Sequence, residues 1–350
     1  MVEIKTPGEI EAIRAAGKVV AGVLSTARAS AVPGVTLAEL DEAAREVLAN
    51  AGATSPFLHY KPKFAPVPYP AVICTSVNDA ALHGIPGDYR LKPGDLLSVD
   101  AGATLDGWVA DAAISFTIGP PAGADARLIE TAEDALRAGI AAAVPGARIG
   151  DISAAIGSVG RAGGYGISTD LGGHGVGRSM HEDPHIPNRG KPGRGIRLVP
   201  GLVIAIEPWF MAGGSDDCYL DDDGWTIRTA DGSRAAHVEH TVAVTGDGPV
   251  ILTALRGLTP SGAVQSPGQD PDLVPVSAGP GIPARRPAVT PAGAPRRTEA
   301  SGSRRRLVRL VRLVRTRLVR IRRHRALFPR MARFPAPWSA GSTRASRPPR

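Results

Sequence analysis

The sequence predicts an α+β domain over residues 1–255, made of two halves related by a pseudo-twofold axis, followed by a basic Pro/Gly/Arg-rich tail over residues 256–350. Three observations carry this prediction. Short motifs recur in the same order in the two halves, Pro-Gly turns lead into apolar runs that end on a carboxylate, and the composition changes abruptly near Arg256.

The repeat is the strongest organising signal. Val32-Pro33-Gly34 precedes a helical pattern with Leu37, Glu39, Leu40 and Val47, and Val144-Pro145-Gly146 precedes one with Ile149, Asp151, Ile152 and Val159 at matching offsets. His83-Gly84 precedes a strand in the first half as His174-Gly175 does in the second. Those strands also match: Pro93-Gly94-Asp95-Leu-Leu-Ser-Val-Asp100 against Pro200-Gly201-Leu-Val-Ile-Ala-Ile-Glu207, each a turn followed by an apolar run closed by an acid. A pseudo-twofold would bring both strand-terminal carboxylates to one centre. Three elements matched in order argue against chance similarity of short Pro-Gly strands.

The tail is a different physical object. Up to residue 255 the chain holds 20 Lys+Arg against 30 Asp+Glu; beyond it, 21 against 3, so an acidic domain precedes a strongly basic segment. Dense Pro, Gly and Ser without apolar periodicity is the composition of disorder. The repeated Arg-Leu-Val theme within residues 304–325 has a period of three that drifts around a helix. Such charge attracts RNA, including ribosomal RNA, or anionic lipid through counterion release; a dispensable extension is the competing reading. With only Cys74 and Cys218, no disulfide framework or paired-cysteine zinc site is expected. An acidic start (Met-Val-Glu-Ile-Lys) and the lack of a long apolar run give the expectation of a cytoplasmic chain without a membrane span.

The carboxylates carry the chemistry. Asp106-Gly107 is a strong hairpin turn between Leu96 to Leu105 and Trp108 to Thr117. That register places Asp111 opposite Gly102, making Asp100 and Asp111 diagonal neighbours on one face, about 7–8 Å apart at the backbone and closer at their tips. A solvated face with two unrelated acids is the alternative, but Val99, Ala112 and Ile114 make the surroundings apolar, where paired carboxylates need a cation. Glu207 ends the apolar run 202–206, and Glu239 lies within another half-buried strand pattern. Either alone could pair with a core Arg; together with histidines they make the oxygen-rich, nitrogen-tempered shell of divalent transition ions. The segment from Leu171 through His174 to His181 is so rich in glycine that the backbone must approach something closely. His174 and His181 there, with His83 on its own His-Gly turn, are candidate functional histidines; His237 reads as structural, and His59 and His185 as packing or solvated residues.

These motifs resemble the type I methionine aminopeptidases, a branch of the M24 metallopeptidases with the pita-bread fold, in which pseudo-twofold halves surround a curved antiparallel sheet. The resemblance rests on Ser76 through His83-Gly-Ile-Pro, Val99-Asp100-Ala-Gly through Asp111, Gly173-His174-Gly-Val-Gly through His181-Glu-Asp-Pro, Ile206-Glu207-Pro208, and Asp223-Gly-Trp through Val238-Glu239-His240-Thr241, and it covers about residues 2–253. It implies removal of the initiator methionine from nascent polypeptides with a small second residue, by metal-hydroxide attack on the peptide carbonyl. It implies two divalent cations (Co, Mn, Fe, Ni or Zn) held by Asp100, Asp111, His174, Glu207 and Glu239, with Asp111 and Glu239 bridging. Glu207 would also relay a proton, His83 and His181 would bind substrate and stabilise the tetrahedral intermediate, and Tyr69, Cys74, Met180 and Trp225 would receive the methionine side chain. A monomer is implied. Two departures bear on the pocket: residues 57–69 are unusually proline-rich, and Met180 stands where the family often has an aromatic residue. A proline-specific peptidase of the same fold, or a non-catalytic pita-bread binding protein, are the alternatives.

Overall fold

The computed structural model describes residues 2–254, apart from residues 64 and 170. The basic tail expected over 256–350 lies outside the described residues. Helix α1 (Pro7–Ser30) begins with Pro at its first position and a reciprocal cap, the Thr6 hydroxyl accepting from Glu9 N while the Glu9 carboxylate accepts from Thr6 N. Helix α2 (Leu37–Asn50) repeats the device with Thr36 and Glu39. Strands β1 (Ile73–Val77), β2 (Ala80–Leu82), β3 (Leu96–Leu105) and β4 (Trp108–Thr117) complete the first half.

The second half opens with α3 (Gly123–Ala142) and α4 (Ile149–Ala162), then β5 (Gly172–Gly175), β6 (Glu182–Pro187), β7 (Val203–Ile206) and β8 (Trp209–Met211). It continues with β9 (Cys218–Leu220), β10 (Ile227–Thr229), β11 (Ala235–His237), β12 (Glu239–Thr245) and β13 (Gly248–Ile251). The matched helices α2 and α4 are both 14 residues long. The glycines of the matched Pro-Gly turns all take the left-handed conformation that follows proline in a type II turn: Gly34 and Gly146 at φ 92° and 90°, Gly94 and Gly201 at 88° and 93°. The duplication read from the sequence is therefore a duplication of backbone geometry.

The main sheet runs β1-β3-β4-β12-β7-β5-β6, with β13 pairing β12, and every pairing is antiparallel. The two larger apolar cores among the described residues lie where α1 and α2 cover the first half (Ile13, Leu24, Leu40, Leu97) and where α3 and α4 cover the second (Leu128, Ile152, Ile156, Ile206), and a smaller one gathers Leu82, Trp209, Met211 and Ile227. The hairpin β3–β4 and the pair β12–β7 meet at the β4–β12 seam, so strand-borne groups from both halves come together there. No helix among the described residues is long and apolar enough to cross a membrane.

Candidate metal centre and substrate pocket

The expected hairpin register is the observed one: Gly102 faces Asp111 and Asp100 faces Ala113 across β3 and β4. Glu239 opens β12 opposite that same Ala113, which brings it to the two aspartates. Thr241 fixes Asp111 from the neighbouring strand, its hydroxyl accepting from Asp111 N at 2.9 Å and donating to Asp111 O at 2.8 Å. Glu207 follows β7, and the Asn188 side-chain amide donates to its carbonyl at 3.0 Å. His174 lies in β5 between two glycines that have no room for a side chain. A Cβ on Gly173 would stand 2.2 Å from Ala205 O, and one on Gly175 2.2 Å from Asp183 O. This is the close backbone approach that the glycine-rich segment predicts.

Asp111, His174 and Glu239 each place one ligand atom within 4.8 Å of the others. The His174 Nδ1 lies 2.9 Å from Gly175 O, a pure acceptor, so Nδ1 carries the proton and Nε2 is the nitrogen left with a lone pair. That Nε2 stands 3.6 Å from Glu207 Oε1. Asp100 and Glu207 line the same cavity. Burial, then the Glu207 charge, raises Asp100 to about 7, and burial with the Asp111 charge raises Glu207 to about 8. Asp111 and Glu239 are pushed well above the usual carboxylate range, again by burial first and then by neighbouring carboxylates. Among the described residues Asp100 Oδ1, Asp111 Oδ1 and Glu239 Oε1 are buried without a hydrogen-bond partner, and the basic groups facing the Glu207 and Glu239 carboxylates are His174 and His237, which burial keeps uncharged near pH 7. Orphaned oxygens in a crowded acidic cluster are a costly arrangement for the bare protein and a fitting one for divalent cations.

His83 and His181 border the same cavity. Burial lowers His83 to about 4 and, helped by the charges of His174 and His83, holds His181 well below its ordinary value, so both rings are neutral near pH 7. The His181 ring meets that of His174 edge-on at 4.3 Å, and His83 meets Trp225 edge-on at 6.2 Å. Tyr69, Cys74, Met180 and Trp225 all line the cavity, with Tyr69 and Trp225 packed edge-to-face at 5.0 Å. Burial, followed by the Asp100 charge, raises the Cys74 thiol, which stays protonated.

Every site residue expected from the sequence thus borders one cavity. Others were not expected. His237 is a cavity residue rather than the structural histidine the sequence suggested: its buried Nε2 lacks a hydrogen bond and faces Glu207 Oε2 at 3.7 Å and Glu239 Oε2 at 3.9 Å. Its position two residues before Glu239, hence on the same face of an extended segment, was the available signal. Phe57, Tyr60 and Pro62 enter from the proline-rich stretch, and Leu82 and Leu171 add apolar lining. His59, His185 and His240 are not cavity residues; His240 instead pairs with Thr253 Oγ1 at 2.9 Å.

Fold and site together define a metallopeptidase: the profile of metallopeptidase family M24 matches residues 11–246, and the chain belongs to that family. Within it, the chain is 50% identical over 260 residues to methionine aminopeptidase 1 of Mycobacterium tuberculosis (strain CDC 1551 / Oshkosh), covering 72% of this chain and 95% of the relative. The crystal structure of methionine aminopeptidase from Thermotoga maritima matches with a TM-score of 0.69 and 38% identity, over 72% of this chain and 99% of that one. The prolidase from Pyrococcus furiosus matches less well, with a TM-score of 0.57 and 25% identity over 72% of this chain and only 65% of the prolidase. The particular branch is therefore that of the methionine aminopeptidases, with the pita-bread fold, and the chain is a metal-dependent enzyme.

Proposed function

We propose that this enzyme removes the N-terminal methionine from nascent polypeptides whose second residue is small, using two divalent cations that Asp100, Asp111, His174, Glu207 and Glu239 would hold. The observation that carries this reading is the cluster of buried carboxylates with unpartnered oxygens around His174. Cations there would supply Lewis acidity and lower the pKa of the attacking water; Mn, Fe, Co, Ni and Zn all suit such a donor set.

The chain's own groups do the rest. Glu207, ionised when cations offset the neighbouring acids, takes the proton from the attacking water and delivers it to the leaving amine nitrogen. His83 and His181, both neutral, each offer one N–H to the substrate backbone and to the oxygen that gains charge as the carbonyl becomes tetrahedral. Tyr69, Cys74, Met180 and Trp225 enclose the methionine side chain and exclude water from it. The same reading makes the enzyme cytoplasmic and monomeric, with residues 1–255 as its catalytic domain. It gives the basic segment 256–350 a role as an arm for ribosomal RNA, so that deleting it should reduce ribosome co-sedimentation in a salt-sensitive way.

The direct test compares substrates. The metal-loaded enzyme should release methionine from Met-Ala-Ser and leave Ala-Pro peptides intact. Preferential cleavage before proline would transfer the site to the prolidase class.

A further inference from the structure

The loop that joins β5 to β6 carries Met180 and His181, and groups that the proposed reaction does not use fasten it on two sides. On one side it meets β4, the strand of Asp111: Val109 N donates to Gly177 O at 2.8 Å, and the Arg178 guanidinium lies over the Trp108 ring, 3.7 Å from its centre. On the other side it meets the N-terminal segment. The Lys5 ammonium, on a side chain only 2% exposed, donates to Glu182 Oε2 at 2.5 Å. Its contacts with Glu3 are longer, 3.5 Å to the carbonyl and 3.6 Å to a carboxylate that is half exposed.

Both ends of this ion pair are anchored. Lys5 N donates to Gly201 O at 2.8 Å, and the next residue, Thr6, caps α1. Glu182 opens β6 opposite Gly175, and its other oxygen accepts from Arg178 N at 2.8 Å and from Ser179 N at 3.1 Å. One carboxylate therefore holds the two residues that precede Met180 and His181 and ties them to Lys5. Gly177 makes the room for this arrangement: a Cβ there would stand 2.4 Å from Lys5 Cε, 2.7 Å from Lys5 Nζ and 2.8 Å from Glu182 Oε1. Desolvation offsets much of the Coulomb attraction within a buried pair, so the pair adds little net stability. What it does fix is geometry, because the buried ammonium meets its acceptor at one position of the loop only.

We propose that Lys5 and Glu182 are positioning residues whose ion pair latches the β5–β6 loop to the N-terminal segment and so holds Met180 and His181 in place for the substrate. The inference rests on the reading of Met180 and His181 as residues that meet the substrate. The segment ahead of α1 then acts on catalysis from outside the cavity, which Lys5 does not line. Breaking the latch lets the loop drift while Asp100, Asp111, Glu207 and Glu239, borne by β3, β4, β7 and β12, stay where they are. A displacement of about 1 Å at a group that meets the reacting carbonyl lowers the rate by up to about a hundredfold.

The test uses the full-length, zinc-loaded enzyme labelled with 13C-methyl methionine. The chain has 4 methionines, and the signal of Met180 is assigned from the spectrum of Met180→Leu. Glu182→Gln keeps an acceptor for Arg178 N and Ser179 N but removes the charge that Lys5 binds, and Lys5→Leu with Glu182→Gln removes both charges. Both should shift or split the Met180 methyl signal and lower kcat on Met-Ala-Ser about ten- to hundredfold, with zinc affinity changed less than about threefold. Glu182→Gln, which strands the buried ammonium, should also lower the thermal midpoint, and the double variant should regain the midpoint without regaining kcat. A double variant that regains both would overturn the proposal, since the pair would then act on stability alone. An unchanged Met180 signal with unchanged kcat in either variant would overturn it too. Full activity in both Met180→Ala and His181→Ala would instead remove these residues as substrate contacts, and is distinguishable because the Met180 methyl signal reports the loop without turnover.

Discussion

Replacing Glu207 by Gln should stabilise the metal-free enzyme at pH 8 while disabling the loaded one. Burial and the Asp111 charge hold this carboxyl at about 8 instead of 4.5. At pH 8 the unfolded chain ionises it fully and the folded chain only by half. At roughly 1.4 kcal/mol per tenfold change in proton affinity, keeping a native glutamate there costs the bare protein about 4 kcal/mol. At pH 5 the two states differ by only about 1 kcal/mol, because the acid is protonated in the fold and the pH is only about half a unit above the value at which it ionises in the unfolded chain. The sign follows: a raised folded-state pKa favours folding below 4.5, and that contribution is lost as the pH climbs through 8. Gln has the same shape and no charge to bury. Because Asp100 and Asp111 relax with it, we expect a gain of about 2–4 kcal/mol at pH 8, a midpoint rise of about 5–15 °C for a domain of this size. Thermal denaturation in chelator at pH 5 and pH 8 measures it. Equal midpoints at pH 8, or the same gain at both pH values, would refute the reasoning, since the first denies the charge crowding and the second assigns the effect to packing.

Other outcomes follow from the same geometry. The metal-free wild type should be most stable near pH 6.5: above it Asp100 and Glu207, raised to about 7 and 8, ionise at a cost, and below it the unfolded chain takes up protons that His83 and His174, lowered to about 4, and His237, lowered to about 3, refuse in the fold. A midpoint that changes in one direction from pH 5 to pH 8 would contradict this. His237→Ala should weaken divalent-cation binding about 10–100-fold by calorimetry, because its Nε2 faces both Glu207 and Glu239; an unchanged isotherm would return His237 to a packing role. Gly175→Ala should cost about 2–3 kcal/mol or prevent folding, as its Cβ would meet Asp183 O at 2.2 Å; a stable, active variant would contradict the close approach of β5 and β6.

The parts of this architecture that were legible in the sequence are those set by local chemistry. The Asp106-Gly107 turn alone fixes the β3–β4 register, and with it the shared face of Asp100 and Asp111. The matched Pro-Gly pairs announce the duplication because a type II turn needs glycine at its third position, and that need is met four times. What escaped depends on long-range closure. Tyr60 reaches His181 only because the chain folds back between residues 59 and 69, a path set by the left-handed His59 and by bonds to Tyr69 that no periodicity signals. His237 escaped for another reason: β11 ends on it and pairs with β8, outside the main sheet, so its approach to Glu207 is set by how the small sheet docks on the large one.

The central claim is that the strand-borne acids and His174 form one cation-binding unit whose occupancy drives methionine release. Titrating the chelated enzyme with Mn(II) or Co(II) while following methionine release from Met-Ala-Ser tests it most directly. The account predicts no release without metal and a rate that rises with added cation and levels off at about two bound equivalents, as expected of a shared two-cation site. Full release in the presence of chelator, or tight cation binding that leaves the peptide intact, would contradict it.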